Sequence, residues 1–372
     1  MKILILPDSF KGTMSSLTVA EIIKEEFQEA YPDAEILAFP FADGGENTMD
    51  CFRKIWKDSM TQSLIIPDPA LKTMIASEYI ITQDTAVIES AKAIGLDKTS
   101  EHNPFVTTSY GLGLLILDAL KKGIHSFLVT LGGSCSNDGG AGMLSALGYR
   151  FYNKDHQRIF PEKDGISDIA SIHDTDIGCL AKATFQIYSD VCNPLLGENG
   201  ATYRFARQKG AKECDLPILE EHMNRFKETT IQFTGKDCSK IAGSGAAGGL
   251  GYAFLSYFKS TIVSGAESIL SLYHLDGLLS DCDLIVTGEG RTDVSSLEGK
   301  CISVIAKKAK SRRIPLLLVS GSIEEDIIPK LDELGYHDRI AVSDSKRSYE
   351  DIIKNPEDDL RKAVKGYLSC SI

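Results

Sequence analysis

No apolar run in the 372-residue chain reaches the roughly 18 residues that a membrane-spanning helix needs. The nine cysteines are scattered, odd in number and never spaced C-x-x-C, which argues against a disulfide framework and a zinc site and fits a reducing compartment. Seven histidines occur, none paired at i, i+3 or i, i+4, so a histidine-based metal centre is not expected. G-x-S-x-G is missing, and so is the G-K-[ST] of a standard Walker loop. Basic residues are outnumbered, 40 Lys and Arg against 52 Asp and Glu, for a net charge of −12. That balance speaks against a nucleic-acid or anionic-membrane partner, both of which need clustered positive charge. It leaves room for a small anionic substrate held by local lysines and helix N-termini. The opening M-K-I-L-I-L turns polar at Asp8, too short a stretch for a signal peptide, so the expected location is the cytoplasm. Self-association is left open.

What is present is alternation. Short β-rich runs, Gly-rich or polar turns and amphipathic helices follow one another, the signature of α/β folds with parallel sheets. Ile3 to Leu6 reads as a strand, followed by a helix that starts at a cap on Ser15 or Thr18 and runs to about Tyr31. Thr107 or Thr108 is expected to cap a helix through Lys122, and Gly243 to Gly251 to open another. Residues 60 to 80 are irregular, and G-E-G-R-T-D at 288 to 293 reads as a loop. Because the regular units lie at the two ends, the expectation is two α/β domains. One is a discontinuous, Rossmann-like parallel-sheet domain of residues 1–80 plus 281–372, and the other is an α/β domain inserted at 81–280.

Four polar clusters sit just after expected strands: Asp8, Ser9 and Lys11; Asp43 to Glu46; Ser189, Asp190 and Asn193; and Gly288, Glu289, Arg291 and Asp293. Ligands of open α/β sheets bind outside the carboxyl ends of strands, which favours a functional reading over mere turn-making. A fifth stretch, L-G-G-S-C-S-N-D-G-G-A-G-M at 131 to 143, places Ser134, Asn137 and Asp138 among glycines. Gly132 and Gly133 are expected to let the backbone approach an anion, aided by a helix start at about Gly140. Gly243, Gly245, Gly248 and Gly249 formally match a dinucleotide fingerprint, with Glu267 near the spacing of a ribose-binding acid. No strand precedes them, so a phosphate-cradling helix N-terminus suits them better, and close helix packing is the plainer alternative. Recurring carboxylates, with lysines and glycine turns, best serve Mg²⁺-assisted phosphoryl transfer.

Asp190 is the first choice for orienting or deprotonating an acceptor hydroxyl. Asp43 and Asp8 are alternatives, either of which can instead hold Mg²⁺. Lys11 is assigned to phosphate or a substrate carboxylate. Asp8, Ser9, Ser134, Asn137, Asp138 and Asn193 are the candidate substrate contacts. Gly243, Gly245, Gly248, Gly249, Gly288, Glu289, Arg291 and Lys300 are placed at the nucleotide, and Asp43, Glu289 and Asp293 at Mg²⁺. A nicotinamide-dependent dehydrogenase and a non-catalytic phosphosugar sensor are the competing readings.

With P-D-S-F-K-G at 7 to 12, A-D-G-G-E at 42 to 46, T-T-S-Y-G-L-G at 107 to 113, the 131 to 143 stretch, S-D-V-C-N-P-L-L-G at 189 to 197, Q-K-G-A at 208 to 211, G-S-G-A-A-G-G-L-G at 243 to 251 and T-G-E-G-R-T-D at 287 to 293, followed by E-G-K at 298 to 300, the sequence resembles the bacterial glycerate kinases of the glycerate 2-kinase type. The motifs span nearly the whole chain in the family's order. Departures include Asn47, where the family pattern suggests Gly, together with Cys135, Ser136 and the run Val294 to Ser296. The resemblance implies a two-domain fold with an active site in the cleft between domains, ATP as donor and glycerate as acceptor. Phosphorylation of another small hydroxy acid is the nearest alternative.

Overall fold

A computed structural model describes residues 1–174, 178–297, 301–343 and 353–370; Lys300 lies outside the described residues. In chain order the strands are β1 (Lys2–Pro7), β2 (Glu35–Ala38), β3 (Met60–Pro67), β4 (Met74–Thr82), β5 (Thr85–Glu89), β6 (Ser126–Thr130), β7 (Arg150–Tyr152), β8 (Arg158–Ile159), β9 (Ser171–His173), β10 (Thr184–Tyr188), β11 (Lys259–Val263), β12 (Leu284–Thr292), β13 (Leu316–Ile323) and β14 (Asp338–Ala341). The chain forms two compact units. The first is Met1–Asp43, Asp50–Lys57 and Gly265–Ile372, and the second is Gly44–Met49 and Asp58–Ser264.

The first unit is built on a parallel sheet of order β14-β13-β12-β1-β2. Ile3, Leu4, Ile5 and Leu6 are all fully buried, the continuous apolar run of a strand covered on both faces. The helix Ser16–Ala30 is capped by Ser15, whose Oγ accepts from the Thr18 N–H at 3.1 Å. Its Val19, Ile23 and Phe27 join Leu360, Val364 and Leu368 of the helix Pro356–Cys370 in one core. Strand β12 runs on through Thr292, where the sequence suggested a loop from 288. Its Glu289 and Arg291 pair with Ser320 and Ser322 of β13.

The second unit carries a six-stranded sheet of order β11-β10-β6-β5-β4-β3. Its β5, β6, β10 and β11 are parallel, while β3 and β4 form an antiparallel extension. That hairpin is the stretch from 60 to 80 that looked irregular. Because its ladder continues into β5, residues 58 to 80 belong with the second unit. Residues 265 to 280 belong with the first, where the Tyr273 hydroxyl donates to the Pro40 carbonyl at 2.7 Å. The division at 80/81 and 280/281 is therefore displaced, because strand partnership rather than local pattern decides membership. A small sheet of order β8-β7-β9 completes the unit. The helix expected to start at Thr107 or Thr108 begins at Tyr110, after Ser109.

A short segment, 44 to 49, is held in the second unit by one buried carboxylate. Glu89 Oε1 and Oε2 accept from the Asn47 and Met49 N–H groups at 2.9 and 3.0 Å. Asn47 stands at φ 64°, a left-handed conformation that Gly and Asn tolerate best, which explains why Asn can stand where Gly was expected. Asn47→Gly should therefore stay within about 0.5 kcal/mol of the parent in denaturant unfolding, whereas Asn47→Val should cost about 1–2 kcal/mol or more. Equal stability of the two variants would contradict the role given to this backbone position.

Candidate active site

In the second unit the parallel register puts Thr130 of β6 beside Tyr188 of β10, so the segments that follow emerge side by side at the carboxyl edge. The Leu131 N–H donates to the Tyr188 carbonyl at 3.0 Å. After β6 comes the polar turn with Ser134, Ser136, Asn137 and Asp138, each at most 5% exposed. After β10 comes the half-buried Asp190 and the loop to Gly200, in which Asn193 Nδ2 donates to the Asn199 carbonyl at 2.7 Å. The Asn193 carbonyl in turn accepts from the Gly245 N–H at 2.9 Å. The structure thus brings Asn193 onto the glycine run at 243 to 251.

Asp138 spends its carboxylate on the protein. Oδ2 accepts from Thr108 Oγ1 (3.3 Å), Ser109 N (2.8 Å), Ser109 Oγ (2.8 Å) and Gly142 N (3.2 Å), while Oδ1 accepts from Gly140 N at 3.1 Å. Four of these contacts fall on Oδ2 and one on Oδ1, so most of the carboxylate's acceptor capacity is spent within the protein. Asp138 shapes the turn from within. It also explains the late helix start, since Thr108 and Ser109 turn their hydroxyls to it.

The glycines lie where backbone meets backbone. A Cβ on Gly132 would stand 2.5 Å from Gly45 Cα, and one on Gly249 would stand 2.9 Å from Gly139 Cα. A Cβ on Gly248 would overlap the Ser136 carbonyl oxygen, and one on Gly245 the Pro194 carbonyl oxygen. The Gly139 N–H donates to the Gly248 carbonyl at 3.0 Å, so the two glycine runs cross in direct contact. Ala247, Gly248 and Gly249 all have positive φ, which makes a left-handed turn inside the segment Ala246–Tyr257 rather than a regular helix N-terminus. Gly243 packs against Ile262 and the Val191 carbonyl. The plainer alternative, glycine for close packing, accounts for the Cα faces of Gly243, Gly245, Gly248 and Gly249.

One residue escaped the sequence reading although its motif was seen. Lys209, only 2% exposed, reaches the polar turn from a short helical turn, Arg207–Lys209. Its Nζ donates to the Ser136 carbonyl at 2.6 Å and to Ser134 Oγ at 3.2 Å. Burial, opposed by Cys135 and Asp138, pulls its pKa down to about 8. The Cys135 thiol is pushed up to about 12, chiefly by burial. A lone lysine inside Q-K-G-A carries no spacing signal, and only the tertiary fold shows where it points.

In the first unit the same edge logic holds. The Asp8 N–H donates to the Gly288 carbonyl at 2.8 Å, which sets Asp8 beside the turn into Glu289. Asp8 is 8% exposed, and its carboxyl is pushed up to about 7. Burial is the largest cause and the charge of Asp43 the next; Lys11 and the Ser9 N–H, 2.6 Å from Oδ1, pull it back, and Glu289 adds a little upward. Ser9 Oγ is buried without a hydrogen-bond partner among the described residues. Arg291 is largely exposed and pairs with Glu324, with Asp293 at 4.0 Å from its Nε. Among the described residues no three His, Cys, Asp or Glu side chains could hold a metal by themselves. Asp43 and Glu289, whose charges are felt at Asp8, do fit the manner of Mg²⁺, which takes one or two carboxylates and fills its remaining positions with water and phosphate oxygens.

The raised Asp8 pKa has a definite sign in stability. Between the ordinary value of 3.8 and about 7 the folded protein keeps a proton that the unfolded chain releases, so stability falls as pH rises through that window. In chelator-treated protein, Asp8→Asn should be more stable than the parent at pH 8 by roughly 1–3 kcal/mol, and the gain should vanish below about pH 4. A difference that does not change with pH would contradict the buried, like-charged setting.

Comparison with known proteins adds an independent observation. The family model described as the glycerate kinase family matches residues 3–370. A Bacillus cereus glycerate kinase is 35% identical over 371 residues, covering 98% of this chain and 97% of its own. An Escherichia coli glycerate 2-kinase is 35% identical over 335 residues, covering 88% of this chain and 87% of its own. A crystal structure described as glycerate kinase 2 from Salmonella typhimurium matches with a TM-score of 0.80 at 32% identity, covering 100% of this chain and 98% of that one. The edge clusters after parallel strands of two sheets and a match that runs almost from end to end lead to one assignment: this chain belongs to the glycerate kinase family.

Proposed function

We propose that the protein transfers the γ-phosphoryl group of Mg·ATP directly to D-glycerate, at the 2-hydroxyl. Family membership over nearly the whole chain is the observation that carries this reading. Phosphoryl transfer to an alcohol needs little covalent assistance, so the residues have to position two anions and offset their charge.

Asp43, Glu289 and Asp293 are the residues that would hold Mg²⁺, which would offset the negative charge of the phosphates. Lys11, a compact cation whose field reaches the buried Asp8 carboxyl, is suited to a phosphate oxygen. Gly288 and Arg291 lie on the same strand, β12, and that edge is assigned to the nucleotide. On the acceptor side, Ser134 and Asn137 offer a hydroxyl and an amide to a small hydroxy acid. Asp190, at the adjoining strand end, is assigned to orient the acceptor hydroxyl and take its proton as the oxygen attacks phosphorus. The glycine run at 243 to 251 supports this edge by close packing rather than by holding a nicotinamide cofactor.

Purified protein given D-glycerate and Mg·ATP should form ADP and a phosphoglycerate that enolase accepts directly. In the same assay Asp190→Asn should lower kcat by about two to four orders of magnitude while ATP binding persists. No ADP formation with glycerate by the parent protein would overturn the substrate assignment. A near-normal kcat for a folded Asp190→Asn variant would move the base to Asp43 or Asp8.

A further inference from the structure

Lys209 poses a physical problem. It is 2% exposed, and among the described residues it forms no ion pair. Removing an ammonium from water costs several kcal/mol unless a counter-charge and full hydrogen bonding offset it. Two of its three N–H groups are satisfied, by the Ser136 carbonyl and Ser134 Oγ. The nearby carboxylate of Asp138 is already occupied by five hydrogen bonds from its own turn and from 108 and 109. The surrounding turn is also incomplete. Ser136 Oγ, which can donate to an anion, is buried with no hydrogen-bond partner among the described residues, and Asn137 Oδ1, likewise unpartnered, can accept from a hydroxyl. A buried hydroxyl without a partner, beside a buried ammonium whose neighbouring carboxylate, Asp138, is committed to other donors, is what a site looks like when its anion is missing.

The placement of Lys209 is also built in. Gly210 stands at φ 100° immediately after it, and a Cβ there would overlap the His102 carbonyl oxygen, so the backbone that aims Lys209 inward accepts no other residue without strain. By donating to Ser134 Oγ, the ammonium leaves that hydroxyl's own proton free to donate elsewhere. By donating to the Ser136 carbonyl, it fixes the peptide that precedes Asn137.

We propose that Lys209 is a positioning residue for acceptor recognition, holding Ser134 and the Ser136 peptide so that the 134–137 turn presents donors to the carboxylate of a small hydroxy acid, whose charge the buried ammonium balances. This rests on the acceptor assignment made under Proposed function, and it adds the group that selects carboxylate over neutral polyol. The titratable groups acting on the ammonium are Cys135 and Asp138, and both favour its charged form. Carboxylate recognition is therefore complete below about pH 8 and weakens as the ammonium loses its proton above that point.

The test compares the parent protein with Lys209→Met and Lys209→Arg. Lys209→Met should raise KM for D-glycerate roughly 10- to 100-fold with a much smaller change in kcat and none in KM for ATP, the loss expected for one charge-assisted contact. Lys209→Arg should recover part of that loss. The parent KM for glycerate should climb above about pH 8, a limb that Lys209→Met lacks. In thermal-shift titrations the parent should be stabilised by D-glycerate and not by glycerol, and Lys209→Met should lose that discrimination. A folded Lys209→Met protein with parental KM, pH profile and discrimination would overturn the inference while leaving glycerate turnover intact. Absence of glycerate turnover in the parent, with turnover of another hydroxy acid, would instead overturn the substrate assignment, and the same three readouts would then be taken on that acid.

Discussion

Two backbones crossing without side chains between them set the shape of the second unit's edge. The turn after β6 and the segment at 243 to 251 touch through Gly139, Gly248 and Gly249, joined by the Gly139 N–H to the Gly248 carbonyl. Any Cβ at Gly248 would meet the Ser136 carbonyl, the same oxygen that receives the Lys209 ammonium. Close packing on one side of that peptide and a buried charge on the other leave it one position. Asp138 adds its five hydrogen bonds from inside the turn. The polar side chains that remain, on Ser134, Ser136 and Asn137, are thereby fixed before any ligand arrives, and preorganisation of this kind is what a transfer reaction between two anions needs.

The first unit shows the complementary strategy. Instead of closing a polar turn around one buried cation, it brings Asp8, Asp43 and Glu289 close enough for their charges to be felt at Asp8, with Lys11 as partial compensation. Carboxylates kept near one another in a buried setting destabilise the fold when all are charged. Such strain persists at functional sites because binding relieves it. A cation entering that edge would find the electrostatic work already done by the parallel sheet, whose register fixes Asp8 against Gly288.

Much of this was legible in the sequence, and the failures have physical reasons. Strand starts such as Ile3 and Ala86, the Ser15 cap and the polar clusters at strand ends follow from local apolar runs and turn chemistry, which act over a few residues. The hairpin of β3 and β4 was missed because its outer strand is exposed on one face and carries little apolar periodicity. The domain boundary followed that miss. The extension of β12 through G-E-G-R-T was hidden because a glycine-rich strand looks like a loop until its partner, β13, is known. Within the site, the structural role of Asp138 does not show in the local pattern, since its hydrogen-bond donors at 108 and 109 are distant in sequence. Lys209 was passed over because a lysine's burial is a tertiary fact.

The proposed acceptor site, the 134–137 turn held by the glycine crossing and by Lys209, is open to a crystal structure of the protein with D-glycerate. The carboxylate should lie within hydrogen-bonding distance, about 3 Å, of the Ser134 or Ser136 side-chain oxygen, with Lys209 Nζ still on the Ser136 carbonyl. Glycerate bound with its carboxylate on Lys11 or Arg291, and the 134–137 turn untouched, would contradict it.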